Sequence, residues 1–427
     1  MTATDTHQAI DAVFRIEQAK LIAGLTRVVR DVGLAEELAQ DALVVALEQW
    51  PKSGIPDKPG AWLMATAKHR AIDRLRRRKL MEKKHEQLGR EIEAEGEGAE
   101  PDLDTAFDDD IGDDLMRLVF TACHPILATE ARVALTLRLI GGLTTDEIAR
   151  AFLVAEPTVA QRIVRAKRTL AERRIPFEVP RGRELAERLG SVLEVIYLIF
   201  NEGYSATVGE DWMRPQLCEE ALRLGRILAG LAPGEPDVHG LVALMEIQAS
   251  RLKARSGPSG EPILLLDQNR ARWDQLLIRR GLAALAEAEV HARKNGGALG
   301  PYALQAAIAA CHARARTAEE TDWARIVGLY GALSEIAPSP VVDLNRAVAL
   351  AILFGPAAGL KVVDALTDEP ALKAYHLLPS VRGDLLYKLG RFTEARAEFE
   401  HAASLTRNER ERNLLLARAA ACGPVSG

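Results

Sequence analysis

Apolar positions recur at three- and four-residue steps along most of the chain, a period that predicts helices nearly throughout. In LTTDEIARAFLVAEPTVAQRIVRAKRTL, Leu143 to Leu170, two such helices meet at a short turn. Thr144 and Glu147 form a T-x-x-E capping box, which starts a helix that turns Ile148, Ala149 and Phe152 inward. After LVAE, Pro157 suits the first turn of the next helix, where its missing N–H costs little. Val159, Ile163, Ala166 and Leu170 make the inward stripe of that helix; Thr158, Gln161, Arg162, Arg165 and Arg168 make the opposite one. Upstream, GLAEELAQDALVVALEQW turns Leu38, Ala42, Val45 and the Leu43, Ala46, Trp50 series inward, leaving Glu36, Glu37, Gln40 and Asp41 outward. In PGAWLMATAKHRAIDRLRRRKL, Leu63, Ala67, Ala71 and Leu75 form an apolar line, with Arg70, Arg74, Arg77 and Arg78 on another face. The expected fold class is all-α, helices packed on helices.

Interruptions of this pattern divide the chain. Residues 1 to 80 are helical and end in RRRK; residues 81 to 112 pass into EIEAEGEGAEPDLDTAFDDD, read as an acidic flexible linker. Residues 113 to 178 are helical again until IPFEVP, and 179 to 300 continue as a helical extension without a clear period. From Tyr302 a repeat emerges. ILFGPAAGLKVVDAL resembles YKLGRFTEARAEFEHAASL, with Gly355 and Gly390 in register at a spacing of 35, and the turns EIAPS and SLTRN lie about twice that distance apart. Such a period belongs to helical solenoids of the TPR type, so residues 301 to 427 are expected to hold two or three TPR-like units.

Composition changes this picture in only a few places. The 427 residues carry a formal charge of −5, too little to describe any one segment, and 5% aromatics, as helix-rich chains often do. The polar start MTATDTHQAID and the short apolar runs predict a soluble cytoplasmic protein without a membrane segment. Four scattered cysteines offer no CxxC pair; Cys123-His124 and Cys311-His312 invite a metal reading, set against that of ordinary buried thiols, and no metal or other cofactor is expected. G-x-S-x-G, a phosphate-binding glycine loop and H-E-x-x-H are all missing, so no catalytic residue is assigned.

Local charge carries the functional signal. In a helix-turn-helix, the start of the second helix meets base edges and later cations hold phosphates, which nominates Thr158, Gln161 and Arg162 for bases and Arg165, Lys167 and Arg168 for backbone. An αα-hairpin with a solvated basic face has the same spacing. Nine basic residues against two acidic ones between Lys68 and Lys84 attract phosphate whatever the overall charge. Trp62 is read either as a stacking residue or as a core anchor. The twelve carboxylates from Glu91 to Asp114 either form a solvated spacer or lie across the Arg70–Arg78 stripe.

Taken in order, these segments resemble the extracytoplasmic-function sigma factors, the promoter-recognition subunits of bacterial RNA polymerase. AEELAQDALVVAL is similar to the region 2 segment that grips the clamp helices of the polymerase β′ subunit, which implies Glu36, Glu37, Leu38, Gln40 and Asp41 as core-polymerase contacts. AWLMATAKHRAIDRLRRR is similar to the part that melts and reads the minus-ten element, implying Trp62, His69, Arg70, Asp73, Arg74, Arg77 and Arg78. LTTDEIARAFLVAEPTVAQRIVRAKRTL is similar to the region 4 helix-turn-helix for the minus-thirty-five element, with the β flap as a further partner. His69 stands where the group commonly has Asn, and Ala155 where a Ser often caps the recognition helix.

NEGYSA at 201 to 206 and DQNRARWD at 267 to 274 resemble the tail of a subgroup with TPR-like extensions, thought to control the sigma factor in cis. The tail is read either as a groove for a protein or peptide, with Arg270, Trp273 and Asp274 contributing, or as a segment in which DQNRARWD caps and packs a helix. Two other classes compete: a one-component regulator whose tail senses a ligand, and a TPR scaffold with an incidental basic hairpin.

Overall fold

The computed structural model describes residues 3–89, 111–152, 154–206, 212–258 and 260–423. Among them the chain is all-α: eighteen α-helices and a few single 3-10 turns, with one isolated β-bridge between Ser256 and Pro262. It forms two compact units, Met1–Val195 and Ile196–Gly427. Among the described residues no helix is long and apolar enough to cross a membrane.

The first unit opens with α1 (Ala3–Val29), α2 (Val32–Ser53) and α3 (Pro59–Gly89), which pack on one another. Asp31 starts α2 by accepting the Leu34 N–H at 2.9 Å, and Gly54 ends it at a positive φ. Leu38, Ala42, Ala46 and Trp50 of α2 are buried with Leu63, Ala67 and Ala71 of α3, as the periodicity predicts, whereas Leu43 and Val45 are only half-buried, Ala35 and Ala39 join the core instead, and the Leu75 side chain lies outside the described residues. Residues 81 to 89 of the expected linker are helical, because α3 carries on to Gly89; residues 90 to 110, with most of the acids, lie outside the described residues.

The unit continues with α4 (Ile111–Ala122), α5 (Thr129–Leu139), α6 (Thr145–Phe152), α7 (Glu156–Glu172) and the first half of α8 (Arg183–Tyr204). That half-helix had been expected within the extension, yet it clamps α4 and α5. Ser191 Oγ donates to the Cys123 carbonyl at 2.7 Å, Arg188 to the Phe120 carbonyl at 2.8 Å, and Arg132 of α5 bonds both Ser191 and Glu194. Burial lifts the Cys123 thiol to about 11 and depresses the neighbouring His124 to about 4. Cys123 is thus an inert core thiol against Thr136 at 3.3 Å, and among the described residues no three His, Cys, Asp or Glu side chains gather as metal ligands.

One ion cluster joins α2 to the later helices of this unit. Glu36, 4% exposed, accepts from Arg138 Nε of α5 at 2.6 Å through one oxygen and from Lys167 of α7 through the other. Gln18 of α1 adds a 3.1 Å bond to the Arg138 carbonyl, and Arg27 pairs with buried Asp114 at 3.3 Å.

In the second unit, α9 (Pro215–Leu231) and α10 (Pro236–Ala249) precede α11 (Gln275–Lys294) and α12 (Pro301–Arg314). The hydrophobic residues of α10 are buried nearly all round because α9, α11 and α12 cover it. From there α13 (Trp323–Ile336), α14 (Pro340–Phe354), α15 (Pro356–Ala365), α16 (Leu377–Lys388), α17 (Phe392–Leu405) and α18 (Glu409–Ala421) pack chiefly on their neighbours in sequence, the arrangement of a solenoid. The repeat glycines hold equivalent places: Gly355 turns α14 into α15 at φ 96°, and Gly390 turns α16 toward α17 at φ 75°. The half-period turns carry side-chain caps, Ser339 on Val341 N–H and Asn408 on those of Arg410 and Glu411. Leu344, Ala347, Leu360, Val363, Leu385 and Phe399 share one core here.

Gly359 has no room for a Cβ, which would sit 2.5 Å from Ala351 Cβ and 2.6 Å from the Ala347 carbonyl oxygen, whereas Gly390 has open space but a left-handed backbone. In urea unfolding followed by circular dichroism, Gly359→Ala is expected to cost about 2 kcal/mol through overpacking, and Gly390→Ala about 1 kcal/mol through strain alone. Glu36→Ala leaves two cations facing the place of a lost buried carboxylate, and is expected to destabilise the first unit by about 3 kcal/mol on the same measurement.

Candidate nucleic-acid interface

The helix-turn-helix forms as its sequence dictates. Thr144 Oγ1 accepts the Glu147 N–H at 3.1 Å while Glu147 accepts the Thr144 N–H at 2.8 Å, a reciprocal capping box that fixes the start of α6. Ile148 and Ala149 are buried and Phe152 half-buried. On α7, Ala155 occupies the N-cap without a side-chain bond, and Pro157 sits in the first turn, where no N–H is needed. Val159, Ile163, Ala166 and Leu170 are all buried, so burial fixes the rotation of α7 about its axis.

The opposite face divides unevenly. Thr158, Gln161 and Arg165 are exposed, Arg162 is half-buried, and Arg168 is exposed with its Nε 2.6 Å from Glu172. Lys167 corrects the expectation: its ammonium is taken up by Glu36, so it is a half-buried partner of α2 and not a free phosphate ligand. Charge counting along one helix could not reveal this, since its partner lies 131 residues away. Sequence reasoning also missed Val164, 63% exposed among the polar residues of this face. A lone apolar residue at step three from Gln161 reads as an interruption in a charge pattern, yet it is the type of group that meets a thymine methyl.

The α2–α3 face departs from the periodicity at Glu36, and at Leu38 from what the resemblance implies, since burial of Leu38 is what the periodicity itself predicts. The α2 periodicity left Glu36 outward, but packing of α2 beside α5 and α7 buries it, and Leu38 is 1% exposed in the core; neither offers a surface to a partner. Glu37 is exposed, and Gln40 and Asp41 are half-buried. Two of these acids meet the predicted DNA-facing cations of α3, Arg70 with Asp41 at 3.2 Å and Arg74 with Glu37 at 3.0 Å. Both pairs are wet and weak, at most about 1 kcal/mol each. His69 and Asp73 are exposed beside them. Trp62 is half-buried and lies edge-on to buried Trp50, ring centroids 5.2 Å apart, so it packs on the core while part of its surface stays open. The side chains of Arg77 and Arg78 lie outside the described residues.

The proposed groove residues of the second unit are engaged in contacts within the unit, Trp273 buried and Arg270 and Asp274 half-buried. Arg270 donates to the carbonyls of His312 and Ala315 at 2.6 and 2.9 Å and to Thr321 Oγ1 at 3.0 Å. Trp273 is 4% exposed, beneath the Arg270 guanidinium at 5.1 Å, and Asp274 caps α11 through the N–H groups of Leu276 and Leu277. DQNRARWD therefore ties and caps helices, and the backbone carbonyls that Arg270 reaches explain why an arginine stands there. The NEGYSA segment is similar: Arg255 lies 3.6 Å from the Tyr204 ring centroid and 4.3 Å from that of Trp212, and also bonds the Tyr204 carbonyl. Desolvation and Arg251 and Arg270 nearby push buried His312 down to about 3, so it stays neutral.

Comparison with known proteins agrees with this layout. Sigma-70 region 2 matches residues 13–80, sigma-70 region 4 matches residues 117–170, and a family of unknown function (DUF6596) matches residues 188–289. An uncharacterised protein of Rhizobium meliloti is 43% identical over 404 residues, 94% of this chain and 93% of that one. The ECF RNA polymerase sigma factor SigK of Mycobacterium tuberculosis is 32% identical over 170 residues, 38% of this chain and 84% of SigK, and that of Mycobacterium ulcerans is 32% identical over 167 residues, 37% and 82%. With both sigma regions in place, the helix-turn-helix inside the second of them, and sigma factors matched over most of their own length, the chain belongs to the ECF family of RNA polymerase sigma factors.

Proposed function

We propose that this chain binds core RNA polymerase and directs initiation at promoters read jointly through α3 and α7, with the second unit regulating it in cis. The observation that carries the reading is the exposed strip of Thr158, Gln161, Val164 and Arg165 on a helix whose other side is locked into the core. Thr158, Gln161 and Arg162 meet base edges of the minus-thirty-five element, Val164 supplies an apolar contact, and Arg165 and Arg168 hold phosphates. On α3, Trp62, His69, Arg70, Asp73 and Arg74 act on the minus-ten element, with Arg77 and Arg78 as further candidates from the sequence. Glu37, Gln40 and Asp41 face the β′ clamp helices. Capture of Glu37 and Asp41 by the polymerase releases Arg74 and Arg70 toward DNA, so polymerase binding and promoter binding reinforce one another. The chain adds positioning and strand separation; bond making stays with the polymerase, in the cytoplasm.

The test is run-off transcription with core polymerase on a library of genomic promoters. The full chain is expected to give specific start sites. Gln161→Ala should relax preference at one base pair of the upstream element by about 1–3 kcal/mol, and Arg165→Ala should weaken holoenzyme binding on all promoters alike, lowering the salt slope by about one. Operator binding by the chain alone, with no specific starts, overturns the reading in favour of a one-component regulator.

A chain ending after Tyr204, which keeps α8, is expected to retain polymerase binding and to change transcript yield severalfold. Equal yields from the two chains would remove regulation by the second unit.

A further inference from the structure

We infer that the first unit carries a binding site for a nucleoside phosphate, in a cleft of about 710 Å³ between the α1–α2 corner and the C-terminal end of α7. Among the described residues only two non-glycine residues have a left-handed backbone, Arg30 at φ 54° and Arg174 at φ 50°, and both line this cleft. Each occupies the position just past a helix end where glycine is usual. The Arg30 N–H reaches back to the Thr26 carbonyl at 2.8 Å; the Arg174 and Ile175 N–H groups reach those of Ala171 and Leu170 at 3.0 and 3.1 Å. A side chain in that conformation is strained, and nothing in chain reversal asks for arginine. Attraction to the helix dipole does not require it either, because a cation in the last helical turn gains the same interaction without strain. Two arginines held at the same unusual conformation on the rim of one cleft point to a role for their guanidinium groups.

The other charges at the cleft are already engaged. Arg27 pairs with Asp114, Lys167 with Glu36, and Asp31, the one lining acid, caps α2. Arg30 and Arg174 are exposed and have no ion-pair partner among the described residues. Apart from Thr26 and Thr121, whose hydroxyls donate to the Ile22 and Arg117 carbonyls, the remaining wall is apolar, including the tract Ile175, Pro176 and Phe177. Two available guanidinium groups suit a phosphate or diphosphate, and an apolar wall ending in an aromatic ring suits a flat heterocycle. The volume falls in the range of small-ligand sites. A sugar phosphate would use the cations and leave the wall bare, which is why the nucleoside is part of the assignment.

Isothermal titration of the full chain with GTP, ATP, pyrophosphate and guanosine tests this. At least one of the two nucleotides is expected to bind, pyrophosphate more weakly, and guanosine not at all. Because glycine suits both backbone positions, the double variant Arg30→Gly, Arg174→Gly should melt at or above the temperature of the parent while binding nucleotide roughly tenfold more weakly or worse. Phe177→Ala should bring nucleotide affinity down to that of pyrophosphate. Arg165→Ala, on the exposed face of α7, should bind nucleotide as the parent does. The site is overturned if neither nucleotide binds at millimolar concentration, if pyrophosphate matches both nucleotides on the parent chain, if the double glycine variant binds like the parent, or if Arg165→Ala loses as much as that variant.

Discussion

The Glu36 carboxylate is the joint on which the first unit depends. One oxygen takes Arg138 and the other Lys167, so a single side chain on α2 fixes both the helix before the turn motif and the recognition helix itself. A buried charge with two partners resists substitution, since removing any one of the three groups leaves the others in a poor medium without compensation. Separation of the helices has a different energetics. If α2 and α7 part, all three groups return to water together, and each exchanges a protein partner for hydration. Such a cluster holds two bodies firmly against local damage yet opens at modest cost, unlike an apolar seam of similar extent.

That property suits the proposed function. On the proposed function the two promoter elements lie apart along DNA, and a chain reading both through α3 and α7 would have to part α2 from α7. The contacts on α2 and α3 have the same character: Glu37 with Arg74 and Asp41 with Arg70 are solvated pairs that a polymerase surface can replace at little cost. On that proposal Arg70, Arg74, Glu37 and Asp41 serve DNA or polymerase, and in this structure they are occupied within the chain. Formal charge on one helix then overstates what is available to a ligand, and Lys167 is the residue for which this matters most.

How much was legible in the sequence follows from where each interaction closes. Helix rotation was readable, because four apolar residues at steps of four, three and four can be buried on only one side, and Val159, Ile163, Ala166 and Leu170 are. The capping box at Thr144 and Glu147 was readable for the same reason, both bonds closing within four residues. The Gly355 and Gly390 register also survived as equivalent turns. What failed was long range. Glu36 looked solvated on its own helix and is buried by helices a hundred residues on; Lys167 looked like one more cation of a basic face. Trp273 and Arg270 looked like groove residues because charged and aromatic types in a loop suggest recognition, whereas Arg270 satisfies three acceptors inside the fold.

The same contrast bears on where function resides in the second unit. Its most distinctive sequence features, NEGYSA and DQNRARWD, are spent on internal work: Arg255 beside Tyr204 and Trp212, Arg270 over Trp273, Asp274 on the start of α11. Arginine is suited to this because its planar cation lies over aromatic faces while its N–H groups reach carbonyls. An interior built this way is directional, and substitution of one guanidinium leaves several acceptors unmet, so these segments specify the fold of the unit more than its partners. Surface chemistry must then come from less distinctive residues. Near the repeat turns, Phe354 and the Tyr387–Phe392 ring pair remain well exposed, so a motif search weighted toward rare residue patterns would look in the wrong place.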